Sequence, residues 1–132
     1  MRPLVIVHHL AQAKAVMCAA RGANADVQLR SAPGAAAFAG VGYLKALGDT
    51  IDHELLIDCG DDAGLVMAAL RAGCRKLLFS GPADQERQLR QMAEQSHALL
   101  RGRTDQSPPC LALLPDEDGD AIRPWLDAHA RS

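Results

Sequence analysis

Two histidines, His8 and His9, follow directly on the apolar run Leu4-Val5-Ile6-Val7. A second polar cluster, Asp58-Cys59-Gly60-Asp61-Asp62, follows Leu55-Leu56-Ile57. Two smaller ones are Ser31-Ala32-Pro33-Gly34 and Ser80-Gly81-Pro82. Each residue type suggests a chemistry. A neutral imidazole moves protons near pH 7, and a carboxylate can orient it. A thiol between a strand and a helix can become a nucleophile, because the helix N-terminus favours the thiolate. Serine hydroxyls and glycine N–H groups can take the polar end of a ligand. The catalytic candidates are therefore His8, His9, Asp58 and Cys59. The ligand-binding candidates are Ser31, Gly34, Asp61, Asp62, Ser80 and Gly81.

Each candidate also has a plainer reading. Adjacent residues on a strand point to opposite faces, so His8 and His9 do not easily ligate one ion, and no metal site is assigned. Asp58, Asp61 and Asp62 disfavour a thiolate at Cys59, which also reads as a small buried hydrophobe. An aspartate just before a helix accepts backbone N–H bonds and complements the helix dipole, so Asp61 or Asp62 reads as a cap. Ser80 can likewise be an N-cap. Cys18, Cys74 and Cys110 read as structural.

The elements that must position these residues follow from periodicity. The first strand is the continuous, β-branched Leu4–Val7 run, suited to burial on both faces of a parallel sheet. Leu10, Ala13, Met17 and Ala20 recur at helical spacing, and Gly22 ends that helix. Val27–Arg30 alternates and reads as an edge strand. Ala35–Leu47 is expected as one helix, weakened by Gly40 and Gly42, each costing about 1 kcal/mol relative to Ala. A third strand spans Glu54–Asp58, a third helix Ala63–Ala72, and a fourth strand Lys76–Phe79. The fourth helix has an apolar face of Leu89, Met92, Ala93, Ser96, Leu99 and Leu100, and Pro82 suits its first turn. Arg101–Pro109 is expected as a loop, Cys110–Leu114 as strand five, and a short helix carries Ile122, Trp125 and Leu126.

Strands separated by helices are parallel, with right-handed crossovers. Two architectures fit. One is an open, doubly wound three-layer α/β/α sandwich with a five-stranded parallel sheet of flavodoxin-like order 2-1-3-4-5. The other is an incomplete barrel that closes only by oligomerising. The open sheet is preferred, since a half-barrel exposes an apolar interior. In that order strands one and three are neighbours, which sets the histidines beside the Asp58–Asp62 loop, where α/β sheets bind ligands.

Composition excludes several partners. The 132 residues make one domain, with 48% hydrophobic and 23% charged residues, as in soluble globular chains. A net charge of −2 argues against nucleic acid and against a polybasic membrane contact. Aromatics are 3%, too few for base stacking. The apolar start is too short for a signal peptide, and no run approaches the ~20 residues of a membrane span. The four cysteines show no C-x-x-C spacing. A cytoplasmic setting with reduced thiols is expected, and the Ala- and Arg-rich usage suggests a GC-rich bacterial genome.

In β-α order and length the chain resembles a response-regulator receiver domain. Asp58 ends strand three, where that family is phosphorylated, and Ser80 ends strand four, where it carries Ser or Thr. His8-His9 stands where the family has an acidic pair for magnesium, and Pro115-Asp116 where it has a lysine. The resemblance thus implies a receiver-like fold without the receiver active site.

Two functions compete. The first is an α/β protein binding a small polar ligand at the C-terminal edge of the sheet, with His8 or His9 and Asp58 available for acid–base chemistry. The second is a non-catalytic regulatory or interaction module. It would form a homo-oligomer, expected as a homodimer, through Ala35–Tyr43, with Phe38 exposed. Reaction, substrate and cofactor are not legible.

Overall fold

The computed structural model describes residues 2–102, 105, 108–117 and 119–129. The chain falls into two compact units, Met1–Arg30 with Ser107–Ser132, and Ser31–Gln106.

In the first unit, β1 (Leu4–Val7) is buried along its whole length, as its unbroken aliphatic sequence requires. It pairs in parallel with β6 (Cys110–Ala112), with Val5 opposite Leu111. Helix α1 (Leu10–Gly22) buries Gln12, Ala13, Val16 and Ala20, one stripe at helical spacing. It packs on β1 and on α6 (Ile122–His129), whose buried residues are Ile122 and Leu126. The α1 exit turns through Asn24 at φ 51°, a left-handed conformation that Asn tolerates.

In the second unit, β3 (Leu56–Asp58), β4 (Lys76–Leu78) and β5 (Leu99–Arg101) pair in parallel, β3 with β4 and β4 with β5. Helices α4 (Ala63–Arg71) and α5 (Ala83–Gln95) make the two crossovers. Right-handed crossovers that advance in one direction put both helices on one face, and α4 indeed packs on α5. Ahead of β3 stand α2 (Ala35–Phe38) and α3 (Val41–Thr50), and α3 packs on α4. Ile57, Leu77, Phe79 and Leu100 are each at most 1% exposed and form the centre of this core.

The expected α/β class and parallel sheet are present. Several details differ. The sheet has six strands, not five, in the hydrogen-bonded order β5-β4-β3-β2-β1-β6. The order is therefore neither flavodoxin-like nor that of a receiver domain. Successive strands β1 to β5 are neighbours in that order. The extra strand is β5. Leu99 and Leu100 do not continue the fourth helix, because the chain leaves α5 through Ser96 and reverses at His97, φ 58°. Leu100 is then buried and Leu99 is 48% exposed, the alternation of a strand and not of a helix face.

Strand β2 (Gln28–Ser31), expected at an edge, lies between β1 and β3, with Gln28, Leu29 and Ser31 buried. Its polar residues imitate an exposed alternation because side-chain hydrogen bonds accommodate them, such as Gln28 Oε1 accepting from Arg2 Nη2 at 2.6 Å. The single helix expected over Ala35–Leu47 is two helices. Gly40, at φ 91°, breaks it in a conformation that an L side chain rarely adopts.

Candidate functional site

The strand exits of the second unit are tied to one another by hydrogen bonds. The Asp58 N–H donates to Ser31 Oγ at 2.9 Å, and Ser31 is fully buried. Asp58 Oδ1 accepts from the Gly60 N–H at 2.9 Å, an Asx turn that fixes the carboxylate at the end of β3. Gly60, at φ 60°, presents its carbonyl to the Ser80 N–H at 2.7 Å. The Cys59 N–H donates to the Leu78 carbonyl at 2.9 Å, and the Phe79 N–H to the Arg101 carbonyl at 2.9 Å. Ser31, Asp58, Gly60, Ser80 and Arg101 thus stand along one rim. Gly81 adjoins it, buried against the Phe79 ring, which a Cβ at that position would overlap.

The pleat decides which side chains share a face. Leu56 is in register with Lys76 and Leu99, and Asp58 with Leu78 and Arg101. Asp58, Lys76 and Arg101 are therefore on the same side of the sheet, opposite to Ile57, Leu77 and Leu100. Lys76 and Arg101 are half-buried, and Asp58 is 7% exposed. The motif reading missed Lys76 and Arg101. Their signal was available: each is a cation directly beside a buried leucine, Leu77 or Leu100, in a three-residue strand, and so faces the opposite side from it.

Beside this rim is a second missed group. Arg90 Nη2 reaches Glu86 Oε2 at 3.2 Å and Asp105 Oδ2 at 3.1 Å. Asp105 Oδ2 also accepts from the Gly102 N–H at 2.7 Å. The Gly102 N–H and then the Arg90 guanidinium hold the Asp105 carboxyl below its ordinary pKa, and the Asp105 bond in turn raises that of Arg90.

The remaining candidates in this unit have plainer places. Asp62 is the N-cap of α4, its Oδ1 accepting from Gly64 N at 2.9 Å and Leu65 N at 3.3 Å. Asp61 is exposed. Ser80 is not a cap, since Pro82 occupies the N-cap of α5. Gly34 supplies a left-handed residue, φ 81°, at the start of α2. Cys59 is 2% exposed, and burial, followed by the Asp58 charge, pushes its thiol up to about 12. That suits a core residue rather than a nucleophile.

The histidines belong to the first unit, where both bind main chain. His8 Nε2 pairs with the Leu113 carbonyl at 2.7 Å, and His9 Nε2 with the Pro115 carbonyl at 3.1 Å. His9 Nδ1 accepts from the Gln12 N–H at 3.3 Å and so caps α1. Neutral His9 thereby donates at Nε2 and accepts at Nδ1. The buried Gln12 amide donates to the Leu114 carbonyl at 2.6 Å and accepts from the His8 N–H at 2.8 Å. These three residues fasten the exit of β6. The expected adjacency of strands one and three, which was to bring the histidines to Asp58, is absent, because β2 intervenes in the strand order. Two of the cysteines expected to be structural, Cys18 and Cys110, are exposed. No group of three or more His, Cys, Asp or Glu with metal-binding placement occurs among the described residues.

No protein-family model matches the chain, and neither does any curated protein sequence. Among solved structures, the fold is similar to that of a Coccidioides immitis protein assigned as a fructose-1,6-biphosphate aldolase, with a TM-score of 0.65 and 13% identity. The match covers 76% of this chain and 40% of that one, so the chain spans well under half of the aldolase's length. Among the described residues no helix is long and apolar enough to cross a membrane.

Proposed function

We propose that the second unit binds a small, hydroxyl-bearing anion over the C-terminal ends of β3, β4 and β5. One observation carries this reading: the register sets Asp58 and Arg101 on either side of Leu78 on one sheet face, with Lys76 on that face two residues before Leu78. An arginine fork suits two oxygens of a phosphate or carboxylate, and a lysine adds a point charge. The fixed Asp58 carboxylate accepts hydrogen bonds from ligand hydroxyls. Ser80, half-buried on the rim, contacts the ligand, while Ser31 acts through Asp58 as a positioning residue. In this reading His8, His9 and Cys59 carry no proton or covalent step. The partial fold likeness to an aldolase named for a phosphorylated sugar is consistent with this ligand class, although it bears on fold alone.

The test is thermal shift and calorimetry with inorganic phosphate, citrate and fructose 1,6-bisphosphate. A ligand that binds only the folded state raises Tm, by about 2.7 kcal/mol of stabilisation at a hundredfold excess over Kd. The phosphosugar should bind at least about tenfold more tightly than phosphate. Arg101→Ala and Lys76→Ala should each weaken it. The reading fails if none of the three anions binds, or if both variants bind like the parent chain.

A second reading rests on Phe38, which is 95% exposed, with Tyr43 at 48%. We infer that this stretch packs against a second copy of the chain. Light scattering should report a dimer that Phe38→Asp converts to monomer. A concentration-independent monomer in the parent chain removes the idea.

A further inference from the structure

Arg101, one of the two cations of the anion rim, is the last residue of β5, and β5 is the outermost strand at its end of the sheet. A trans peptide points its C=O and its N–H to opposite sides. The Arg101 carbonyl points to β4 and accepts from the Phe79 N–H at 2.9 Å. The Gly102 N–H of the same peptide therefore points off the open edge, where among the described residues no strand follows. Asp105 takes that place. Its Oδ2 accepts from the Gly102 N–H at 2.7 Å and from Arg90 Nη2 at 3.1 Å. Arg90 Nη2 also reaches Glu86 Oε2, one turn earlier on α5, at 3.2 Å. Gly102 is buried, and a Cβ there would overlap the Glu86 carboxylate. Both polar atoms of the Arg101–Gly102 peptide are thus bonded, one to β4 and the other, through Asp105, to α5.

This arrangement does little for stability as an ion pair, since Arg90 and Asp105 are each more than a third exposed. Its consequence is geometric. Holding the peptide on both sides fixes the backbone of Arg101 and the direction in which its side chain leaves the strand. A guanidinium fork that meets two ligand oxygens needs that direction set by its supporting residues. Arg101 is itself one of the charges that, after the Gly102 N–H and the Arg90 guanidinium, hold the Asp105 carboxyl below its ordinary pKa, so the two side chains lie within each other's field. We propose that Asp105 and Arg90 are positioning residues of the anion rim, which lock the end of β5 to α5 and so aim the Arg101 guanidinium at the ligand. The proposal rests on the anion reading of that rim.

Calorimetry of the full chain with fructose 1,6-bisphosphate tests it through double-mutant cycles. Asp105→Ala and Arg90→Ala should each weaken binding about tenfold while the circular dichroism spectrum stays native. Asp105→Asn keeps an acceptor for the Gly102 N–H and should restore most of the affinity. In an Arg101→Ala background, Asp105→Ala should change affinity by less than about twofold. In a Lys76→Ala background it should still cost about tenfold. A merely structural role would give the same loss in all three backgrounds. The proposal is overturned if natively folded Asp105→Ala and Arg90→Ala bind as the parent does, or if the loss is the same with and without Arg101. Either result leaves the anion reading standing. A parent chain that does not bind the phosphosugar ends that reading, and this proposal with it.

Discussion

The main-chain N–H of Asp58 ends on the hydroxyl oxygen of Ser31, 2.9 Å away and fully out of solvent. The bond joins residues 27 positions apart and holds the rim carboxylate by its own backbone. Ser31→Ala leaves that buried N–H without its acceptor, at a cost of about 1–3 kcal/mol. Urea unfolding should show the midpoint falling with the slope unchanged. Ser31→Thr retains an acceptor oxygen and should lose less. Equal stability of the Ala variant and the parent would remove Ser31 from its positioning role.

Gly48 reverses an ordinary expectation. Alanine in place of a helix-interior glycine adds about 1 kcal/mol of stability in a free helix. In α3 the new methyl would press on the His53 main-chain carbonyl, which cannot swing aside as a side chain can. Gly48→Ala should therefore destabilise by about 1–3 kcal/mol. Thermal melts decide the sign, and a rise in Tm would contradict the packing of α3.

The thiols should divide by burial. Cys59 is 2% exposed with its pKa pushed up to about 12, and Cys74 is 7% exposed with its pKa raised by burial. Cys18 and Cys110 are exposed. Alkylation of the native chain near pH 8, read by peptide mass spectrometry, should modify Cys18 first, then Cys110, whose pKa burial also raises, and should spare Cys59 until denaturant is added. Rapid native labelling of Cys59 would reopen its reading as a nucleophile.

Asp105 ties stability to acid. Its folded pKa lies below the ordinary 3.8, so the charged form is favoured by folding. That contribution is complete above the unfolded value and disappears as pH falls through the folded value. Asp105→Asn should thus lower stability near neutrality, and the difference from the parent should shrink as pH drops below about 4. The side chain is 36% exposed, so solvent screening keeps the effect small. Paired urea titrations at several pH values measure it. A gap that stays constant with pH would contradict the assignment.

Local sequence was a sufficient guide wherever a short-range interaction settles the conformation. The Leu4–Val7 run made a buried strand because four consecutive aliphatic residues have no solvent face to offer. Asp62 capped α4 because an aspartate oxygen reaches the N–H groups two and three residues on. The polar exits of the strands were also legible, and Ser31, Asp58 and Ser80 do share one rim in the second unit.

Strand order was not legible, because one β-α sequence serves a doubly wound and a singly wound sheet equally well. The choice lies in which neighbour each strand meets after its crossover. That choice moved β2 from the edge to a position between β1 and β3, and gave His8 and His9 main-chain partners at the exit of β6. Lys76, expected in a strand, and Arg101, expected in a loop, meet the face of Asp58 only through register with β3. The sequence alone therefore determined the first strand, most of the helices and the Asp62 cap of this chain, since these depend on residues within a turn of one another. The tertiary structure alone decided which distant side chains meet, since pairing between strands is a long-range contact that periodicity does not encode.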